Sequence, residues 1–359
     1  MKIRLPAAVV LACASGLSSH ANAASYAVAY DNVYDLFIVS APFVPITDFT
    51  SFTTIATGAA NLNGTGSSAS RTGGIGGILP GGGPSDVDIV SGTGSIFPGA
   101  APINNAMTAI GQGAGAFYSY SDSQISETAL LQVNPAVDPV TFTGNLTQAW
   151  GIAEAFIDDA DGTADSISGN SSDAGINTTV TLTQPTSFSI SFFADPYLFA
   201  EVTNDFVIGG AIAALSVSFT ISDSSGQVFS WTPDGVNEGA SGVVGSIGGT
   251  ETNDPFSLNT NVPAANRGDQ VLYDPCGNGP PTGNIAGGCT NGPNFFSVST
   301  NLLPVGTYTI SLNMTENVVV NSLQVDPPPP IDVPALGGFG LWLLAILLPL
   351  AAFRHRRLG

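Results

Sequence analysis

Apolar and polar residues alternate with a period of two along much of this chain. In TSFSISFF, Phe188, Ile190 and Phe192 fall on one side while Ser187, Ser189 and Ser191 fall on the other. LSVSFTIS repeats this with Leu215, Val217, Phe219 and Ile221, and GTYTISLNM with Tyr308, Ile310, Leu312 and Met314. Such alternation predicts strands with one face in a core and one in water. Further strands are predicted at SYAVAYDN near residue 25, DLFIVS near 35, ETALLQV near 127, AWGIAEAFI near 150 and NTTVTLTQ near 177. PYLFAEVT near 196, QVFSWT near 227, FFSVS near 295 and ENVVVNSLQ near 316 complete the set. One stretch, PINNAMTAIGQ near 102, has helical spacing.

Many short strands separated by Gly, Pro, Asn and Asp predict an all-β fold, an antiparallel β-sandwich of jelly-roll type, in preference to a parallel α/β sheet. Two stretches read as long loops: RTGGIGGILPGGGPSD at 71–86, and 242–292, which carries two cysteines. The glycine-rich stretch lacks the spacing and the strand-to-helix context of a phosphate cradle. No linker or internal repeat divides residues 24–326, so one ectodomain is expected there.

The first 23 residues read as a signal peptide. Lys2 and Arg4 precede an apolar run, and Ala21 and Ala23 form a small-x-small cleavage site. Between Ala24 and Asp332 lie all 27 acidic residues but only Arg71 and Arg267 among the basic ones, a net charge of −25 without a single lysine. So anionic a surface repels phosphates, which argues against nucleic acid as a partner. Both histidines, His20 and His355, lie outside the ectodomain. Imidazole-dependent triads and the usual zinc sites are therefore excluded there. Cys276 and Cys289 flank a Gly/Pro/Asn loop, and in an oxidising compartment they read as one disulfide, with a stabilisation of ~3 kcal/mol.

Candidate sites are few. DDADGTADS, at 158–166, places Asp159, Asp161 and Asp165 around Gly162 in a pattern like a calcium loop, the alternative being a solvated turn. Tyr118 and Tyr120 are the aromatics best placed to be exposed as a sugar platform, whereas Trp231, at strand spacing from Phe229, reads as core. A polysaccharide hydrolase would need two acids facing one cleft, and no pair stands out in the sequence.

The C-terminus is more explicit. Pro327–Pro330 begins a stiff spacer over 327–332. Val333, Pro334, Ala335 and Leu336 follow, then an apolar run over 337–353, then Arg354, Arg356 and Arg357. As a helix the apolar run would span roughly 25 Å, at the short end for a bilayer, with the arginines on the cytoplasmic side. This motif, transmembrane helix and basic end at 333–359 resemble the exosortase-processed sorting signals of Gram-negative bacteria, the PEP-CTERM group, and most closely its IPTL-CTERM variant. FADPYL, VFSWTPDG and LLPVGTYTISL are likewise similar to strands of β-rich exported proteins with such tails. The resemblance implies an exosortase as processing partner, initial retention in the inner membrane, cleavage near the motif, and delivery to the cell surface or extracellular matrix. The expectation is a non-enzymatic surface or matrix protein with a structural or adhesive role, with exopolysaccharide as a candidate partner. The alternatives are a calcium-assisted carbohydrate-binding module and a carboxylate-based polysaccharide hydrolase; calcium is the only cofactor the sequence suggests.

Overall fold

The computed structural model describes residues 25–41, 49–74, 90–96, 117–126, 147–157, 162–169, 175–203, 207–237, 239, 248–281 and 289–324. These residues form strands β1 (Ser25–Ala41), β2 (Phe49–Leu62), β3 (Thr65–Gly74), β4 (Val90–Ile96), β5 (Phe117–Ser126) and β6 (Thr147–Ile157). They continue with β7 (Gly162–Gly169), β8 (Gly175–Leu182), β9 (Ser187–Ala194), β10 (Tyr197–Val202), β11 (Val207–Asp223) and β12 (Gly226–Trp231). The last are β13 (Gly249–Asn253), β14 (Asn259–Ala264), β15 (Gln270–Tyr273), β16 (Phe295–Thr300) and β17 (Gly306–Gln324).

The strands pair antiparallel in two sheets. The first has nine strands in the order β13-β16-β9-β1-β6-β5-β4, with β10 joining β1 to β15. The second has eight in the order β12-β11-β17-β7-β2-β3, with β14 on β11 and β8 between β17 and β2. Long strands span the sheets, and shorter ones share their edges. β10 pairs the first half of β1 and β9 its second half, while β7 and β8 divide β17 in the same way.

Two pairs of strands predicted separately are continuous. SYAVAYDN and DLFIVS form β1, which carries a bulge where Asp35 adopts a positive φ of 52°. The extra residue switches parity, so Val33 before it and Leu36 and Ile38 after it all reach the same core. GTYTISLNM and ENVVVNSLQ form β17, whose polar centre stays in register with β11. The stretch 242–292 is not simply a loop, for it contributes β13, β14 and β15. The start of the glycine-rich stretch, through Gly74, belongs to β3. ETALLQV, PINNAMTAIGQ and the remainder of the glycine-rich stretch lie outside the described residues.

One core lies between the sheets. Phe192 stacks on Phe296 beside it at 4.9 Å and on Phe219 of the opposite sheet at 5.1 Å. Trp231 completes this cluster, 5.7 Å from Phe192. A second cluster, with Tyr26, Tyr30, Tyr118, Tyr120, Phe156 and Phe199, occupies the other face of the nine-stranded sheet and is buried as well. That sheet is therefore shielded on both faces around β1, β5, β6 and β10. This explains why SYAVAY and YLFAEV read as continuous apolar runs. The described residues to Gln324 form one compact unit, and Val325–Gly359 lies outside the described residues. Among the described residues no helix is long and apolar enough to cross a membrane.

Candidate functional site

The most unusual chemistry lies between the sheets, where carboxylates occupy core positions. Asp31 follows Ala27 and Ala29 on the inward side of β1 and is buried. Its neighbour across the ladder is Gly151 of β6. From the other sheet Glu316 enters at the inward parity of β17, between Met314 and Val318, and is also buried. It reaches the space above Gly151: a Cβ there would collide with Glu316 Oε2 and with the Ser168 hydroxyl. A glycine is thus what allows a glutamate of one sheet to lie against the other, beside Asp31.

The electrostatics follow from this placement. Asp31 Oδ1 accepts the Asn32 N–H at 2.8 Å, while its Oδ2 has no hydrogen-bond partner. Burial pushes the Asp31 carboxyl up to about 8; the Asn32 N–H opposes the shift and the nearby charge of Asp195 adds to it. Burial likewise raises Glu316 well above the usual carboxylate range, and the charge of Asp31 raises it further. The Ser168 hydroxyl beside Glu316 eases the shift without giving either oxygen a hydrogen bond of normal geometry. Burial and the mutual repulsion of the two carboxyls both favour the protonated form of each.

Two further polar groups lie on the nine-stranded sheet. Asp195 donates its N–H to Asn32 O at 3.1 Å and accepts Asn278 Nδ2 at 3.0 Å. Its carboxyl is raised by burial, with Asn278 opposing. Beside it Cys276 and Cys289 form the expected disulfide, with Cα atoms 4.3 Å apart. Asp195 and the two sulfurs lie within 4.8 Å of one another, but sulfurs bonded to each other are not thiolate ligands, so this is no metal centre. On the outer face of the same sheet, Glu154 Oε1 accepts the hydroxyls of Tyr26 at 2.8 Å and Tyr118 at 2.6 Å. Both phenols are held well above their usual range by burial first and by the Glu154 charge second.

The structure places the sequence-derived candidates as follows. Tyr118 and Tyr120 are fully buried, not exposed, which corrects the sugar-platform expectation; the sheet that carries them is covered on both faces. Trp231 is core, as expected, and its Nε1 donates to Glu251 Oε1 at 2.5 Å. Asp165 sits within β7 and accepts Asn61 Nδ2 at 2.9 Å, while Asp159 and Asp161 lie outside the described residues. Gly162 opens β7, and a Cβ on it would meet Asn63 Oδ1, the group that accepts the Thr163 N–H at 2.8 Å. The close approach of Asn63 thus leaves no room for a side chain at position 162. Ala21, Ala23, Val333, Pro334, Ala335, Leu336, Arg354, Arg356 and Arg357 lie outside the described residues.

Asp31 and Glu316 escaped the sequence reading, although a signal for Glu316 was present. Extending the alternation of Tyr308, Ile310, Leu312 and Met314 by one step puts Glu316 inside, with Val318 and Val320 beyond it. Splitting β17 at its polar centre hid that parity. No protein-family model matches this chain, and no curated protein or solved structure matches it either.

Proposed function

We propose that this is a non-enzymatic exported protein with a structural or adhesive role at the cell surface or in the extracellular matrix, held first in the inner membrane and then released through its C-terminal sorting signal. The observation that carries this reading is the order of parts along one chain: an export signal, a disulfide-bonded β domain without lysine, a proline spacer, and the 333–359 motif, apolar run and arginines. On this reading the two sheets are a jelly-roll-like sandwich, 337–353 is a transmembrane helix, and an exosortase-type enzyme is the processing partner. The rigid domain supplies the working surface, and the tail supplies the address.

The burial of Tyr118 and Tyr120 removes the aromatic platform on which a calcium-assisted carbohydrate module was based. A hydrolase acting through Asp31 and Glu316 is disfavoured because both carboxyls are sealed between the sheets, where no polymer reaches them. The test compares intact mass and membrane partitioning of wild type with an Arg354→Ala/Arg356→Ala/Arg357→Ala variant in the native host. Wild type should lose the mass of its tail and leave the membrane, while the variant stays uncut or mislocalised. Retention of the whole tail by both would reduce the protein to a permanently tethered ectodomain and overturn the sorting reading.

A further inference from the structure

The outward face of the eight-stranded sheet bears hydroxyls and amides in rows that run across the strands. Ser222, Thr309 and Thr179 are successive ladder neighbours from β11 through β17 to β8, and Thr220, Ser311 and Asn177 form the next row. Ser218 lies opposite Asn313, Ser216 opposite Thr315, and Ala214 opposite the exposed Asn317. Neighbouring strands are ~4.8 Å apart, and same-face positions along a strand ~7 Å, so the groups form a flat two-dimensional array. Several are fixed by one another. Thr181 and Thr307 share a hydrogen bond of 3.2 Å, Ser216 donates to Asn259 Oδ1 at 2.9 Å, and Ser311 donates to Asn177 Oδ1.

The array is notable for its charge and its border. The ectodomain carries −25, yet among the described residues the outward positions of β8, β11 and β17 carry no charged side chain; Asp165 of β7 borders them as the ladder neighbour of Val319, its carboxylate accepting Asn61 Nδ2. At one end the rows give way to an apolar pair, Ile212 and Val319, ladder neighbours that are 44% and 40% exposed. We infer that this face binds a neutral polysaccharide lying flat along it, the hydroxyl rows meeting sugar hydroxyls and the Ile212–Val319 step meeting the C–H face of a ring. An anionic polymer would meet the field of a strongly acidic domain, with no basic group at the outward positions of β8, β11 and β17 among the described residues to offset it. A second copy of the chain would want a larger apolar centre than the row Pro263, Ile212 and Val319 supplies. Each hydroxyl contact replaces a contact with water and contributes little alone, so the array favours a polymer, which makes many contacts after the first.

This inference deepens the surface-or-matrix reading and rests on it for the presence of polysaccharide. The experiment is affinity electrophoresis of the full-length protein in detergent, in native gels containing either neutral hydroxyethyl cellulose or anionic alginate. Wild type should be retarded by the neutral glucan alone. Thr309→Glu/Asn317→Glu should bind about tenfold more weakly, as should Asn317→Glu alone to a lesser degree. Leu272→Glu, on the edge of the other sheet, should migrate as wild type does. Near-ultraviolet circular dichroism checks that each variant is folded. Absence of retardation by the glucan, equal retardation of the folded variants, or stronger retardation by alginate would each overturn the inference. So would a dimer that the Asn317→Glu variant abolishes, because the face would then be a self-contact. Correct tail processing of a protein that ignores the glucan defeats only this inference, whereas failure of processing defeats the sorting reading whatever the gels show.

Discussion

Asp31 and Glu316 make the interior of this protein sensitive to pH in an unusual direction. Most folded proteins stabilise ionised carboxylates and lose stability in acid. Here burial raises Asp31 from an ordinary 3.8 to about 8, and raises Glu316 as well, so the folded state holds protons that the unfolded chain releases. Stability from these groups is complete below the unfolded value and declines as pH rises toward the folded one, by at most ~1.4 kcal/mol per pH unit for each group. The melting temperature should therefore fall between pH 5 and pH 9, and Asp31→Asn, which keeps the shape and removes the ionisation, should flatten that slope. A slope unchanged in the variant would mean that Asp31 is not the group responsible.

Between elements, the fit of the two sheets at β6 and β17 depends on a missing side chain. Gly151 leaves room for the Glu316 carboxyl and the Ser168 hydroxyl, and a methyl group there would overlap both. Gly151→Ala should cost about 1–3 kcal/mol in chemical denaturation. Combining it with Glu316→Ala should cost less than the two single changes added together, because the carboxyl that comes nearest the new methyl group is gone and only the Ser168 hydroxyl is left to move. Strict additivity would show that the sheets do not meet as described. The hairpin of β2 and β3 shows the opposite relation, in which local sequence suffices. Asn63 and Gly64 both take positive φ, 51° and 78°, as a two-residue Asn-Gly turn requires, and Leu62 pairs Thr65 across it.

For the whole molecule, the dominant quantity is charge. An ectodomain with 27 acidic residues against two arginines repels itself, and salt screens that repulsion over about 10 Å at 0.1 M. Raising sodium chloride from 20 mM to 500 mM at neutral pH should raise the melting temperature by a few degrees, roughly the shift expected from a ~1 kcal/mol gain. A decrease would mean that attractive pairs outweigh the repulsion. The alternation in β9, β11 and β17, the turn residues and the cysteine pair already determined an all-β antiparallel fold with one disulfide, because strand period, turn chemistry and thiol pairing are local properties. Tertiary structure alone decided that Tyr118 and Tyr120 are core, that 242–292 supplies strands to both sheets, and that Asp31 and Glu316 meet above Gly151. Burial depends on which surface another part of the chain covers. Two residues 285 positions apart come together only when their sheets do.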